Sequence, residues 1–339
     1  MRRFPPVDGP LRRNGLVRQV ILRFVARRAL AAVPAIAAVL TIVFVVVHLA
    51  PGDPVIAIGG EHGDAAHHAF VRHTFGLDRP IAEQFVVWIA QVARGDLGVS
   101  FVHGRPVAQL VLERLPATLL LTVTALLLST ALGIALGSVA ARRPRRPVDF
   151  AVRTGALLGA ATPSFWLAQL GLVAIALGTG LVPVQGMTDP RRELDGLAWA
   201  LDVLHHLVLP AAVLAAGELA LTTRLVRVGL LETLAEDYVR TARAKGLDER
   251  RVRRHALRNA LLPVVTVIGG RAGMFLTGAV LVEVVFAWPG LGRLLVSAVE
   301  SRDHPVLLGI LVLVSLTVVA ANLVTDLVCG WLDPRIRAG

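Results

Sequence analysis

Six apolar runs dominate this chain, at residues 29–50, 117–141, 154–178, 207–226, 263–287 and 306–328. A helix rising about 1.5 Å per residue needs about 20 residues to cross a hydrocarbon core of about 30 Å, so each run meets or approaches one crossing. Inside lipid every backbone N–H and C=O must be satisfied within the segment, and runs of this length take helical form. Apolar residues make up 55% of the 339, more than one soluble core of this size would hide. The expected fold class is an all-α integral membrane protein with six transmembrane helices. The run 29–50 is about twice as long as a signal-peptide core. It reads as an uncleaved first span behind a basic N-terminal extension, residues 1–28.

The formal net charge is +11, from 35 basic and 24 acidic side chains. Such a balance raises nucleic-acid binding, but the position of each charge decides its meaning. With the N-terminus in the cytoplasm, the inner segments hold 25 basic residues and the outer loops 9, leaving Arg271 within a run. The outer loops also carry 13 acidic residues. This is the positive-inside asymmetry of a membrane protein, it places both termini in the cytoplasm, and no nucleic-acid partner is needed to explain it. The single lysine, Lys245, lies in Ala244-Lys245-Gly246 and cannot serve a P-loop. The lone Cys329 excludes an intramolecular disulfide.

Three segments between the runs are long enough to act. Residues 51–116 are external and open with Pro51-Gly52-Asp53-Pro54, which leaves helical geometry. A short amphipathic helix is expected over Ile81–Ala93, where Phe85, Trp88, Ile89 and Val92 recur at spacings of three and four. It serves either as a lid and docking surface or simply as a helix packed on the span tops. Residues 227–262 are cytoplasmic. There Leu230, Leu231, Leu234 and Tyr238 predict one helix, Gly246 interrupts, and Val252, Ala256 and Leu257 predict a second, with Pro263 at the entry to the next span. A basic helix–Gly–helix has the shape of a segment that docks in a partner's groove. The external residues 179–206 are rich in turn formers. The pairs Gly133/Gly137, Gly155/Gly159 and Gly269/Gly273 offer small faces for close helix packing, within the chain or between chains.

Charges inside runs demand partners, because an ionised group at the bilayer centre costs at least about 2.5–3.5 kcal/mol. Glu218, Arg271 and Glu283 are such groups. They line a hydrophilic route or form structural pairs; Glu218 and Arg271 can pair if their spans are neighbours. Glu283 lies near the external end of its run, where snorkelling would make it cheap. Asn322 and Asp326 form an i, i+4 polar pair. His48, His205 and His206 sit at run edges, where solvation is the ordinary case. No His, Asp or Glu cluster has metal-ligand spacing, and no nucleophile elbow or acid–base set marks a catalytic site. The reading is a transporter rather than an enzyme, without metal or cofactor of its own.

The cytoplasmic stretch from Asp237 through Tyr238, Val239, Arg240, Thr241, Ala242, Arg243, Ala244 and Lys245 to Gly246-Leu247, followed by His255-Ala256-Leu257-Arg258-Asn259-Ala260-Leu261-Leu262-Pro263, resembles the EAA loop of bacterial ABC importer permeases. The form is that of the dipeptide/oligopeptide/nickel family, in the subunit with the longer external segment. Leu49-Ala50-Pro51-Gly52-Asp53-Pro54, Gly95-Asp96-Leu97-Gly98, Thr162-Pro163-Ser164-Phe165-Trp166 and Val282-Glu283-Val284-Val285-Phe286-Ala287-Trp288-Pro289-Gly290-Leu291-Gly292 are similar to that family's stretches, in order. Arg240 and Thr241 stand where the wider family carries Glu and Ala, so a Glu-to-Arg bridge to an ATPase is not implied.

The resemblance implies a type I ABC importer permease fold with a permease core over residues 117–337. It implies a second homologous permease, two ABC ATPase subunits that bind ATP and Mg, and an external solute-binding protein. The cargo it implies is short peptides, with nickel chelates or glutathione as alternatives. An ion-coupled secondary transporter acting alone, using Glu218, Arg271 and Glu283, is the reading from another class.

Overall fold

A computed structural model describes residues 30–31, 33–49, 55, 64–74 and 76–332. Twelve helices carry the description: α1 (Val33–Leu49), α2 (Ala65–Thr74), α3 (Ile81–Ala93), α4 (Val107–Arg142), α5 (Pro147–Ala161), α6 (Ser164–Gly171), α7 (Gly196–Leu234), α8 (Asp237–Ala244), α9 (Glu249–Gly270), α10 (Ala272–Val285), α11 (Leu291–Glu300) and α12 (His304–Leu332). The β pairing among the described residues is one isolated antiparallel bridge, Val99 to Pro106.

Three helices, α4, α7 and α12, are each long and apolar enough to cross a membrane. Two further apolar runs are bent. The run 154–178 is not straight: α5 and α6 meet at 102°. Thr162 precedes Pro163 and is held extended at φ −87°, ψ 129°, because the proline ring disfavours helical geometry in the residue before it. Beyond the corner α6 runs into a π-helical turn over Leu172–Leu177. The run 263–287 is divided between α9 and α10, which meet at 56°. Its break falls at Arg271 (φ −97°, ψ 1°), after the Gly269-Gly270 pair. Pro263, expected at the entry to a span, instead lies inside α9; it withholds one N–H from the ladder without ending the helix.

The core has three parts. At its centre Leu121 and Ala125 of α4, Leu207 to Ala215 of α7 and Phe275, Ala279 and Val282 of α10 pack with Phe286 and Trp288. Towards one end Val107 and Val111 of α4 meet Leu291 and Leu294 of α11 and Val306 and Ile310 of α12. At the other end Ala141, Leu230, Ala256 and Ala260 close α4, α7 and α9 together.

Glycine faces set the spacing of three helix pairs within the chain, α4 with α7 and both α9 and α10 with α12. A Cβ on Gly137 would stand 2.7 Å from the Thr223 carbonyl oxygen and 2.8 Å from Val226 Cβ, so α4 and α7 approach only where a hydrogen replaces a methyl. Gly269 meets Thr325 and Gly273 meets Val318 of α12 in the same way, whereas a Cβ on Gly155 would enter open space. Helix α3 packs on α1, with Phe85 and Trp88 ring centroids 5.1 and 5.5 Å from that of Phe44.

Candidate functional site

The first candidate is built from α8, one reversal and the first turns of α9. Leu230, Leu231 and Leu234 do not join Tyr238 in one helix as their spacing suggests; they end α7. Glu236 turns extended (φ −67°, ψ 151°) and starts α8 afresh. The short helix then ends at Lys245, and Gly246 reverses the chain at φ +76°, a conformation that costs L-residues about 1–2 kcal/mol. Asp248 caps α9, accepting the Arg250 N–H at 3.2 Å.

Val239 on α8 and Val252 on α9 are buried beside the same groove, and Ala256 packs α9 against Ala141 of α4 and Leu230 of α7. Asn259 Nδ2 donates to Tyr238 Oη at 2.9 Å across the angle between them. Arg243 Nη2 and Nε donate to the two oxygens of Glu249 at 2.9 and 3.2 Å. These bonds hold the Glu249 carboxyl below the ordinary glutamate range and raise the Arg243 guanidinium.

Five of the ten residues singled out in this loop, Thr241, Ala242, Lys245, His255 and Asn259, line one open groove of about 710 Å³ with Tyr238, Leu247 and Arg258. Asp237 and Arg240 stand outside it as a solvent-exposed pair, Nη1 to Oδ1 3.3 Å. Ala244 and Gly246 lie exposed at the turn, and Pro263 sits further along α9.

The charges within the apolar runs separate into two kinds. Arg271, at the α9–α10 break, donates from Nε and Nη2 to the two oxygens of Glu218 on α7, each at 2.8 Å. The two spans are neighbours, and this is a bidentate ion pair. Glu283 does not snorkel. Its residue is fully buried, and it accepts Thr118 Oγ1 at 2.7 Å, Gly292 N–H at 2.6 Å and Arg293 N–H at 3.2 Å. Thr118 in turn accepts the Leu291 N–H at 2.8 Å. Glu283 and Thr118 therefore serve the first three N–H groups of α11, where a carboxylate also meets the positive end of the helix dipole. Trp288 Nε1 donates to the Ala117 carbonyl at 2.9 Å and closes the same knot. A Cβ on Gly290 would collide with the Glu283 carboxyl, which accounts for the glycine there. On α12, Asn322 is exposed and Asp326 half-buried.

Two buried acids carry contacts that the charge count passed over. Asp149 is gripped by Arg227 (Nε–Oδ1 2.6 Å, Nη2–Oδ2 2.7 Å) and accepts the Arg145 N–H at 2.9 Å, tying α5 to α7. The available signal was its isolation, since Asp149 is the one acid among the five arginines of residues 142–153. Asp303 accepts Ser100 Oγ at 2.5 Å and the N–H groups of Phe101 and Val102, fastening the loop before α4 to the start of α12. His206, expected in solvent, is buried, with Nδ1 2.8 Å from the Asp202 carbonyl.

Residues 133–338 match the family model of the binding-protein-dependent transport system inner membrane component, and residues 21–122 match the model of the N-terminal part of such components. The chain is 40% identical over 336 residues to the dipeptide transport system permease protein of Escherichia coli (strain K12), covering 94% of this chain and 99% of that protein. It is 37% identical over 317 residues to the oligopeptide transport system permease protein of Bacillus subtilis (strain 168), covering 93% and 99%. A glutathione transport system permease protein of Escherichia coli O6:H1 is 39% identical over 318 residues, covering 94% and 99%. With its helical architecture and these matches running almost end to end, the chain belongs to the family of binding-protein-dependent transport system inner membrane components.

Proposed function

We propose that this chain is one of two homologous permease subunits of an ATP-driven importer that moves short peptides across the bacterial cytoplasmic membrane. Six spans, with both termini inside, place α8 and the start of α9 in the cytoplasm. There two ATPase subunits, holding ATP and Mg, receive the loop. An external solute-binding protein delivers cargo to the opposite face, where α2 and α3 lie. The observation that carries the reading is the α8–Gly246–α9 element. It is a short helix suspended between a break at Glu236 and a reversal at Gly246, with an open groove beside it, and so is a body that a partner can seize and move. The peptide permeases of Escherichia coli and Bacillus subtilis support the cargo class.

Glutathione is the second reading of cargo, favoured by the relative that carries that name. An ion-coupled transporter acting alone has less support, because Glu218 and Arg271 satisfy each other and Glu283 is consumed in capping a helix. The test is ATP-dependent uptake of labelled dipeptide and glutathione by the reconstituted complex. Deleting residues 237–258 should leave membrane insertion intact and abolish uptake. Persisting uptake, or uptake by this chain alone on an ion gradient, would defeat the reading.

A further inference from the structure

A second concavity lies on the other side of α9 from the groove described above. It measures about 470 Å³, and four guanidinium groups border it: Arg142 from the last turn of α4, and Arg250, Arg253 and Arg254 from the first turns of α9. Arg253 reaches Glu249 only at 3.8 Å, and Arg142, Arg250 and Arg254 have no carboxylate partner among the described residues. Repulsion among four such groups is tolerated when a multivalent anion shares them. The floor is apolar, formed by Leu230 and Leu234 of α7 and Leu257 of α9. Ser138, one turn before Arg142, belongs to the same lining, but its hydroxyl is turned away from solvent and has no hydrogen-bond partner among the described residues.

The concavity therefore combines guanidinium donors with an aliphatic floor, at the level where α4 leaves its apolar stretch. A soluble phosphate would use the donors and leave the floor unfilled. An acidic protein loop would bring carboxylates to the guanidinium groups but no acyl methylenes to the leucine floor. We infer that this concavity holds the phosphate headgroup of an anionic phospholipid from the cytoplasmic leaflet, with the first methylenes of its chains on Leu230, Leu234 and Leu257. The lipid bridges α4, α7 and α9, and so joins the element proposed to meet the ATPases to the membrane-crossing core. The inference rests on the cytoplasmic placement proposed above. Binding in detergent micelles, however, does not depend on which membrane face the concavity opens to, so the two readings fail separately.

The experiment is native mass spectrometry of the full chain in uncharged detergent, titrated with phosphatidylglycerol, phosphatidylcholine or inorganic phosphate. Phosphatidylglycerol should be retained, and the double variant R250Q/R254Q should weaken retention about thirtyfold, near one surface charge's worth per arginine. The charge-matched variant R143Q/R146Q, outside the concavity, should retain it as the native chain does. If the double variant fails to fold, Arg142→Gln, which removes a single guanidinium contributed by α4, should still weaken retention about fivefold. Equal retention of phosphatidylcholine, or unaltered retention by R250Q/R254Q and Arg142→Gln, would overturn the proposal. So would displacement of the lipid by millimolar inorganic phosphate, which would assign the donors to a soluble anion. Lipid retention unaltered in R250Q/R254Q while the assembled complex sheds its ATPases would overturn it in favour of a protein interface.

Discussion

Arg271 meets Glu218 edge on, with two nitrogens each 2.8 Å from a different carboxylate oxygen. The Arg271 side chain keeps 37% of its surface exposed and that of Glu218 18%, so the pair is only partly removed from solvent. Losing one partner should cost about 1–2 kcal/mol, less than the roughly 3–5 kcal/mol of a fully buried pair. Thermal unfolding in micelles should show Glu218→Ala and Arg271→Ala destabilised alike, with the swap E218R/R271E recovering more than half. Independent, additive losses would mean that the contact is incidental.

Glu283 is a different case, because its loss orphans donors that water cannot reach. Glu283→Ala should cost about 3–5 kcal/mol, and Thr118→Val about 1–3 kcal/mol. Since both groups serve the same turn of α11, the double variant should cost less than the sum. A double-mutant cycle on melting temperature measures the coupling, and strict additivity would sink the shared-cap account.

Substitutions at the glycine faces should sort by the neighbour they meet. Gly137→Ala forces α4 from α7 and should lower stability by about 1–3 kcal/mol. Gly155→Ala enters open space and should be neutral or slightly stabilising through helix propensity. Equal effects at the two positions in a thermal-shift assay would contradict the packing described.

At Gly246 the obstacle is conformational, since nothing lies within 4 Å of an added Cβ. Gly246→Asn, which tolerates positive φ, should keep most uptake by the assembled complex, whereas Gly246→Val should insert normally and lose it. Uptake that falls equally in both would indicate that size at the turn, not φ, is what matters.

The Arg243–Glu249 pair is exposed, and its contribution should stay below about 1 kcal/mol and fade in salt. Because Glu249 titrates below its ordinary value of about 4.5, this increment is present above that pH and is lost as pH falls through the lowered value. Comparing Glu249→Gln with the native chain at pH 4 and pH 7 checks the sign: the difference should shrink at the lower pH.

Much of the helical architecture is visible in the sequence, because apolar runs long enough for lipid announce themselves without tertiary information. The corner at Thr162 was missed, because the run 154–178 reads as one span although a residue before proline marks the break; its 102° angle depends on what α6 packs against. Long-range partners were not visible. Glu283 stands near the end of an apolar run and looks cheap to expose, yet Thr118, 165 residues away, and the turn it caps enclose it. Asp149 and Arg227, 78 residues apart, both disappeared into a charge count that treated them as topology. In the loop around Gly246, periodicity identified helical residues but joined Tyr238 to the wrong helix, since the break at Glu236 has no glycine or proline to mark it.

The knot at Glu283 has a kinetic corollary. The amides of Leu291, Gly292 and Arg293 are all bonded to side chains from α4 and the end of α10. Their exchange with deuterium therefore requires the start of α11 to leave α4 and α10, whereas most amides of α8, where Val239 alone is buried, can exchange by local fraying. Three backbone protons thus form an internal clock for release of α11 from the central helices, running independently of the loop at the opposite end.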